Sequence, residues 1–246
     1  MIRVRLACLL FALVGNLAHA APIADSIADF SSVQGQNGWF YGFFNQGPDN
    51  SLAYSPGSFQ NFNTFGVVGA GVWGASDAQV GAQNNVYLGL GSATGHPTGL
   101  KPPDDQDSII WAVRRYVSEV AGDVDIALDL RKDNLNPNGG GITGRVFVDG
   151  VEIYTQFVAA TDGAGFQPTL VRNVALNSTI DFVIDPLGVA INLDGPYSPR
   201  ADGTRFSAVI SAHTVPVAPT AWLVLAALAA LWLCSPKALA LGRSGR

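Results

Sequence analysis

Between Asp123 and Leu130 the chain alternates strictly: Val124, Ile126, Leu128 and Leu130 are separated by Asp125, Ala127 and Asp129. Successive side chains of a strand point to opposite faces, so this period of two predicts a β-strand with one buried and one wet face. The pattern recurs with Ile180, Phe182 and Ile184, and again with Phe206, Ala208 and Ile210. Residues 145–148 and 151–155 flank Asp149-Gly150, a pair that tolerates the positive φ angles of a two-residue hairpin turn. Short strands with turn residues between them predict an all-β fold, an antiparallel β-sandwich. The N-terminal half is less regular. Residues 37–44, Asn-Gly-Trp-Phe-Tyr-Gly-Phe-Phe, read as a short strand between turns, and residues 86–90 as another. Residues 95–97 and 101–105 read as a long loop. No long stretch of this region has helical period, and no fixed-length repeat is present.

The two ends are of another kind. Arg3 and Arg5 precede an apolar run from Leu6 to Val14, and Ala18-His19-Ala20 follows. A charged start, a short apolar core and small residues at Ala18 and Ala20 predict a secretory signal peptide over residues 1–20, cut by signal peptidase after Ala20. At the other end residues 221–234 are continuously apolar on every face, Trp222 and Trp232 stand near the ends of the run, and Lys237, Arg243 and Arg246 follow. A span of about 20 residues crosses a bilayer, so residues 221–246 read as a single transmembrane helix with a basic cytoplasmic tail. Residues 212–220, with two prolines, form the linker. The domain that folds is thus residues 21–211.

That domain holds all 19 acidic residues and nine of the basic ones, a net charge near −10. Such a field opposes nucleic acid and anionic lipid. Cys8 and Cys234 both lie in the ends, which leaves the domain without a disulfide, a thiolate metal site or a catalytic cysteine. Core burial must hold it together.

Val215-Pro216-Val217-Ala218-Pro219, the weak apolar helix behind it and the terminal Arg243 and Arg246 resemble a PEP-CTERM sorting signal of the Val-Pro-Leu-Pro-Ala variety. The resemblance implies processing by an exosortase-like membrane protease. A second resemblance runs through Gly95-His96-Pro97, residues 111–116 (Trp-Ala-Val-Arg-Arg-Tyr), Gly144 to Gly150, residues 180–185 and Asp202-Gly203-Thr204. These look like a jelly-roll-like module of secreted bacterial surface proteins, which implies a sandwich related in shape to carbohydrate-binding domains.

Catalytic motifs are scarce. His96 precedes a proline in a loop and His213 lies in the linker, so neither predicts a triad. Residues 74–78 lack the second glycine of a nucleophile elbow, and no HExxH, P-loop or dinucleotide-binding glycine motif occurs. A glycosidase needs only two acids at a set separation, and here it would draw on Asp with Glu119 or Glu152, the two glutamates. Residues 134–139, Asn-Leu-Asn-Pro-Asn-Gly, echo the start of a calcium loop, but Arg145 stands where an acid should close it, so the segment reads as a turn. No cofactor is assigned. If a Ca2+ ion binds, Asp181, Asp185, Asp194 and Asp202 are the candidate ligands. Among the aromatics, Trp39 and Tyr41 are the candidates for stacking on a sugar ring, with burial in the core as the competing role. Asn177-Ser178-Thr179 reads as a turn before a strand. Taken together these features predict a non-catalytic exported protein. It would be anchored in the inner membrane facing the periplasm, then released to the cell surface or matrix, and associated with exopolysaccharide. The alternative is a secreted polysaccharide-active enzyme with an Asp/Glu pair.

Overall fold

The structure is a computed structural model that describes residues 21–45, 54–67, 69–80, 87–97, 109–137, 139–186 and 202–214. The signal peptide, the sorting motif from Val215 to Pro219, the transmembrane segment, Asp194 and the loop at 101–105 lie outside the described residues. A compact unit ends at His213. Among the described residues no helix is long and apolar enough to cross a membrane.

Two antiparallel sheets build the fold. The first has the order β11 (Val151–Val158), β10 (Ile142–Val148), β13 (Thr179–Asp185), β8 (Ile110–Val117), β2 (Trp39–Asn45), β3 (Gln60–Asn61). The second runs β12 (Thr169–Val174), β9 (Gly122–Lys132), β14 (Thr204–Ala212), β7 (Thr94–His96), β6 (Gly89–Leu90), β5 (Trp73–Gly74), β4 (Thr64–Phe65), with β1 (Pro22–Asp25) also on β14. Among the described residues the one α-helix is a single turn, Asp77–Val80.

Register explains the core. Across the first sheet Tyr41 faces Arg114 and Arg114 faces Phe182; one step along, Trp39 faces Tyr116 and Tyr116 faces Ile180. All of these side chains share one face. Across the second sheet Leu130, Leu128 and Ile126 pair with Phe206, Ala208 and Ile210. The two apolar faces meet: Phe182 lies 5.6 Å from Phe206, and Tyr41 stacks on Trp73 at 6.0 Å. The result is a β-sandwich with its main core between the sheets. Gly144 lets the sheets approach, since a Cβ there would stand 2.3 Å from Leu130 Cδ2. The predicted hairpin is present, with Asp149 at φ 50° and Gly150 at φ 82°. Asp149 also accepts bonds from the Ser178 hydroxyl and the Thr179 amide, which ties the turn to the start of β13.

Arg114 sits inside this core. It donates to the carbonyls of Ser26, Ser92 and Gly91, and its guanidinium lies 4.8 Å from the Phe206 ring centroid. Burial lowers its pKa to about 10, so it remains a cation at neutral pH. A buried charge needs such partners, and here backbone oxygens and ring faces supply them.

Three expectations change. Residues 95–97 are not all loop: β7 covers Thr94–His96 and pairs with β6 and β14. The strand expected at 86–90 is described only as Gly89–Leu90. The last strand extends to Ala212, so the linker begins later than expected, and the Asp125 carboxylate holds His213 Nδ1 at 2.7 Å.

Candidate functional site

Lys132 ends β9 and Thr204 begins β14, and the two residues pair. Beyond the ladder the chains stay together, because the amides of Asp133 and Asn134 both donate to the Gly203 carbonyl at 2.9 and 3.2 Å. Asp202 is thereby carried beneath β9, where Lys132 Nζ donates to its Oδ1 at 3.0 Å, both side chains wholly buried. Among the described residues Asp202 Oδ2 finds no hydrogen-bond partner. Burial raises the Asp202 pKa to about 7 against the opposing pull of Lys132, and burial lowers that of Lys132 against the opposing pull of Asp202. For each partner desolvation outweighs attraction, so the pair is held by the surrounding fold.

On the other side of β14, the Thr204 hydroxyl donates to the Gly95 carbonyl at 2.7 Å. The next residue is His96, whose Nδ1 lies against the Pro97 carbonyl. Gly89 pairs with His96, and two residues earlier stands Tyr87. Tyr87 has φ 73°, a region that costs a bulky residue of order 1–3 kcal/mol. The residue is nonetheless 54% exposed, with its ring 5.5 Å from that of His96 and tilted 34° to it. Gly203 joins the two halves: a Cβ there would lie 3.6 Å from Asn134 Cβ and 3.9 Å from His96 Cδ2. At the margin Arg205 Nε donates to Asp133 Oδ1 at 2.8 Å, both largely exposed. The end of the second sheet is therefore a shelf. It offers one presented aromatic ring, an imidazole, an amide and a guanidinium–carboxylate pair, above a buried ion pair.

The outer face of the first sheet carries a second polar array of different character. Arg115 is bidentate to Asp181 at 2.6 and 2.9 Å, and the Tyr54 hydroxyl donates to Asp181 Oδ2 at 2.9 Å. Burial, then the charge of Asp181, drives the Tyr54 pKa far up, so the phenol stays protonated. Arg145 Nε donates to Asp185 at 3.0 Å, and its Nη1 donates to Glu152 at 3.1 Å. The Arg145 guanidinium lies 5.3 Å from the Trp111 ring centroid. Tyr54, Phe44, Trp111 and Phe147 pack with Val113 and Val183 as a smaller core on this face. The segment from Tyr54 to Phe59 covers it: Arg115 lies 4.2 Å over the Phe59 ring and donates to the Pro56 carbonyl.

The residues proposed from sequence fall as follows. Trp39 and Tyr41 are fully buried on the inner face of β2, so neither offers a ring to a sugar. Alternation put them with Phe43 on the core side, while Phe44, on the outer face, is buried by Tyr54 and Trp111. The three described cation candidates are not brought together. Asp181 pairs with Arg115, Asp185 with Arg145 and Asp202 with Lys132, so each carries its own cation. Among the described residues no three His, Cys, Asp or Glu side chains cluster as metal ligands. Asn134 and Asn136 form a turn in which the Asn136 amide donates to Asn134 Oδ1. Tyr87, His96 and Lys132 were not singled out as site residues. Their only sequence signal is position beside turns, because what joins them is the pairing of strands distant in the chain.

No protein-family model matches the chain, and no curated protein matches it. Among solved structures, it is similar to the CBM51-2 and INT domains of Clostridium perfringens ZmpB at 17% identity and a TM-score of 0.29, over 46% of this chain and 24% of that one. It is similar to CBM51 from Clostridium perfringens GH95 in complex with methyl-galactose at 15% identity and a TM-score of 0.26, over 48% of this chain and 81% of that one. A third is the β-glucosidase from Kluyveromyces marxianus in complex with glucose, at 13% identity and a TM-score of 0.30, over 82% of this chain and 18% of that one. The chain thus spans about a quarter of the length of the first of these and less than a fifth of the last. Likeness this slight assigns neither family nor ligand.

Proposed function

We propose that the domain is a non-catalytic saccharide-binding module of an exported cell-surface or matrix protein, with Tyr87 as its contact platform. The observation that supports this is the Tyr87 ring, exposed at a backbone angle that a tyrosine ordinarily avoids. Strain kept at a surface residue is a pointer to function, since packing alone gives no reason to retain it. A pyranose has an apolar face and a rim of hydroxyls. An aromatic ring suits the face, and His96, Asn134 and the Arg205–Asp133 pair suit the rim. The jelly-roll-like kinship expected from sequence belongs to the same proposal.

The two ends supply the route. Signal peptidase would cut after Ala20 and an exosortase-like protease would act at Val215–Pro219, which moves the domain from the inner membrane, periplasmic side, to the cell surface or medium. Mass spectrometry of the mature protein tests this: a chain beginning at Ala21 and ending near the sorting motif supports it, and intact residues 1–20 contradict it. A glycan array with wild type and Tyr87→Ala tests the binding; signal for one sugar class that the variant loses supports the reading, and no signal above background removes it. For the enzyme reading, Glu152 and Asp185 are a Glu and an Asp that the fold brings to one side chain, and Arg145 pairs with both. That arrangement favours a structural role over the proton transfer a glycosidase requires.

A further inference from the structure

Resting on the saccharide reading, we propose that the module recognises a single terminal saccharide unit and not the interior of an extended polysaccharide. A module that holds chain interiors needs a track: several exposed rings in line along a sheet face or groove. Among the described residues neither face of this sandwich shows such a line of fully exposed rings. The outer face of the first sheet is roofed by Tyr54 to Phe59, pinned through Tyr54 and Arg115 to the buried Asp181. Its rings Phe44, Trp111 and Phe147 are buried beneath that roof, and Phe40 and Phe157 on the same face are half-buried on β2 and β11, with three strands between them. The outward row on β9 is Asp123, Asp125, Ala127 and Asp129, beside Ser207, Val209 and Ser211 on β14 and Thr169, Val171 and Asn173 on β12, with no aromatic among them.

Among the described residues the exposed aromatic rings are Phe65 and Tyr87. Phe65 lies edge-on to Trp73 at 5.1 Å and against Phe30 at 6.4 Å, and Gly66 and Val67 follow it. Phe65 is the more covered of the two, 39% exposed against 54% for Tyr87. Among the described residues Tyr87 is the one exposed ring at this end of the second sheet, beside His96. One ring engages one sugar, and a shelf at the end of a sandwich meets a chain at its tip.

The test uses the full-length chain in a detergent without a sugar headgroup. Gluco-, galacto- and manno-oligosaccharides of one to six units are titrated by calorimetry, followed by the corresponding long polymers. The expected result is one series whose affinity stays within about twofold from the shortest binder to the longest, with polymer capacity set by the number of chain ends. Affinity that climbs about tenfold or more with length overturns the end-recognition inference while leaving the saccharide reading in place. No binding by any series or polymer overturns both. Tyr87→Ala is expected to weaken binding about tenfold, and Tyr87→Phe to keep it. Wild-type affinity in Tyr87→Ala, with an unchanged melting curve, removes the shelf as the site.

Discussion

Replacing Lys132 by Met removes the side chain that, among the described residues, donates to the Asp202 carboxyl, and leaves that carboxyl wholly buried. Breaking one side of a buried pair costs about 3–5 kcal/mol, because the remaining charge stays desolvated. For a domain of this size each kcal/mol moves the melting temperature by about 2–4 °C, so Lys132→Met should melt about 10 °C lower. The pH dependence follows from Asp202. Its folded pKa, about 7, is above its unfolded value of 3.8, so the folded state holds this proton more tightly. The stability linked to Asp202 is therefore present in acid and lost as pH rises from 3.8 through 7. Without Lys132 the folded pKa rises further, and the deficit of the variant should be larger at pH 8 than at pH 5. Lys132→Met with Asp202→Leu removes both charges and should recover most of the loss or exceed wild type. Thermal melts by circular dichroism on the full-length chain in detergent, at the two pH values, read all of this. A single variant that melts within a degree of wild type, or a double variant as unstable as the single, would refute the reasoning.

Other perturbations test other parts of the fold. Gly144→Val drives a side chain into Leu130 and Phe166 and should cost at least 1–3 kcal/mol, seen as a lower urea midpoint. Phe182→Ala opens the contact with Phe206 and Trp39 and should cost about 3–5 kcal/mol in the same assay. Asp181→Ala strands the Arg115 guanidinium and the Tyr54 phenol beneath the outer segment; it should destabilise by about 3–5 kcal/mol and hasten proteolysis near residues 54–59. Gly150→Val forces a β-branched residue to φ 82° and should lower the melting temperature by several degrees.

The strands that could be read from sequence are those with unlike faces. In β9 the inward leucines and isoleucine alternate with outward aspartates, and in β14 Phe206, Ala208 and Ile210 alternate with Ser207, Val209 and Ser211. The 149–150 turn declared its hairpin because Asp-Gly suits two positive φ angles. β2 gave its existence but not its orientation, since rings on both of its faces are buried. The two-residue strands β3 to β6 left no periodic signal at all. The site was hidden for a related reason. Lys132 and Asp202 stand 70 residues apart, Arg115 and Asp181 66, Arg145 and Asp185 40. An acid that looks like a cation ligand when read singly is a salt-bridge partner once strand pairing brings its arginine or lysine across.

Saturation-transfer NMR gives the most direct reading of whether the Tyr87 shelf holds a sugar. The full-length chain is irradiated in the aromatic region in the presence of the oligosaccharide series that binds most tightly. Enhancement should concentrate on the ring protons of one terminal residue and fall markedly in Tyr87→Ala at the same concentrations. Enhancement spread evenly along the oligosaccharide, or unchanged in that variant, would contradict the account.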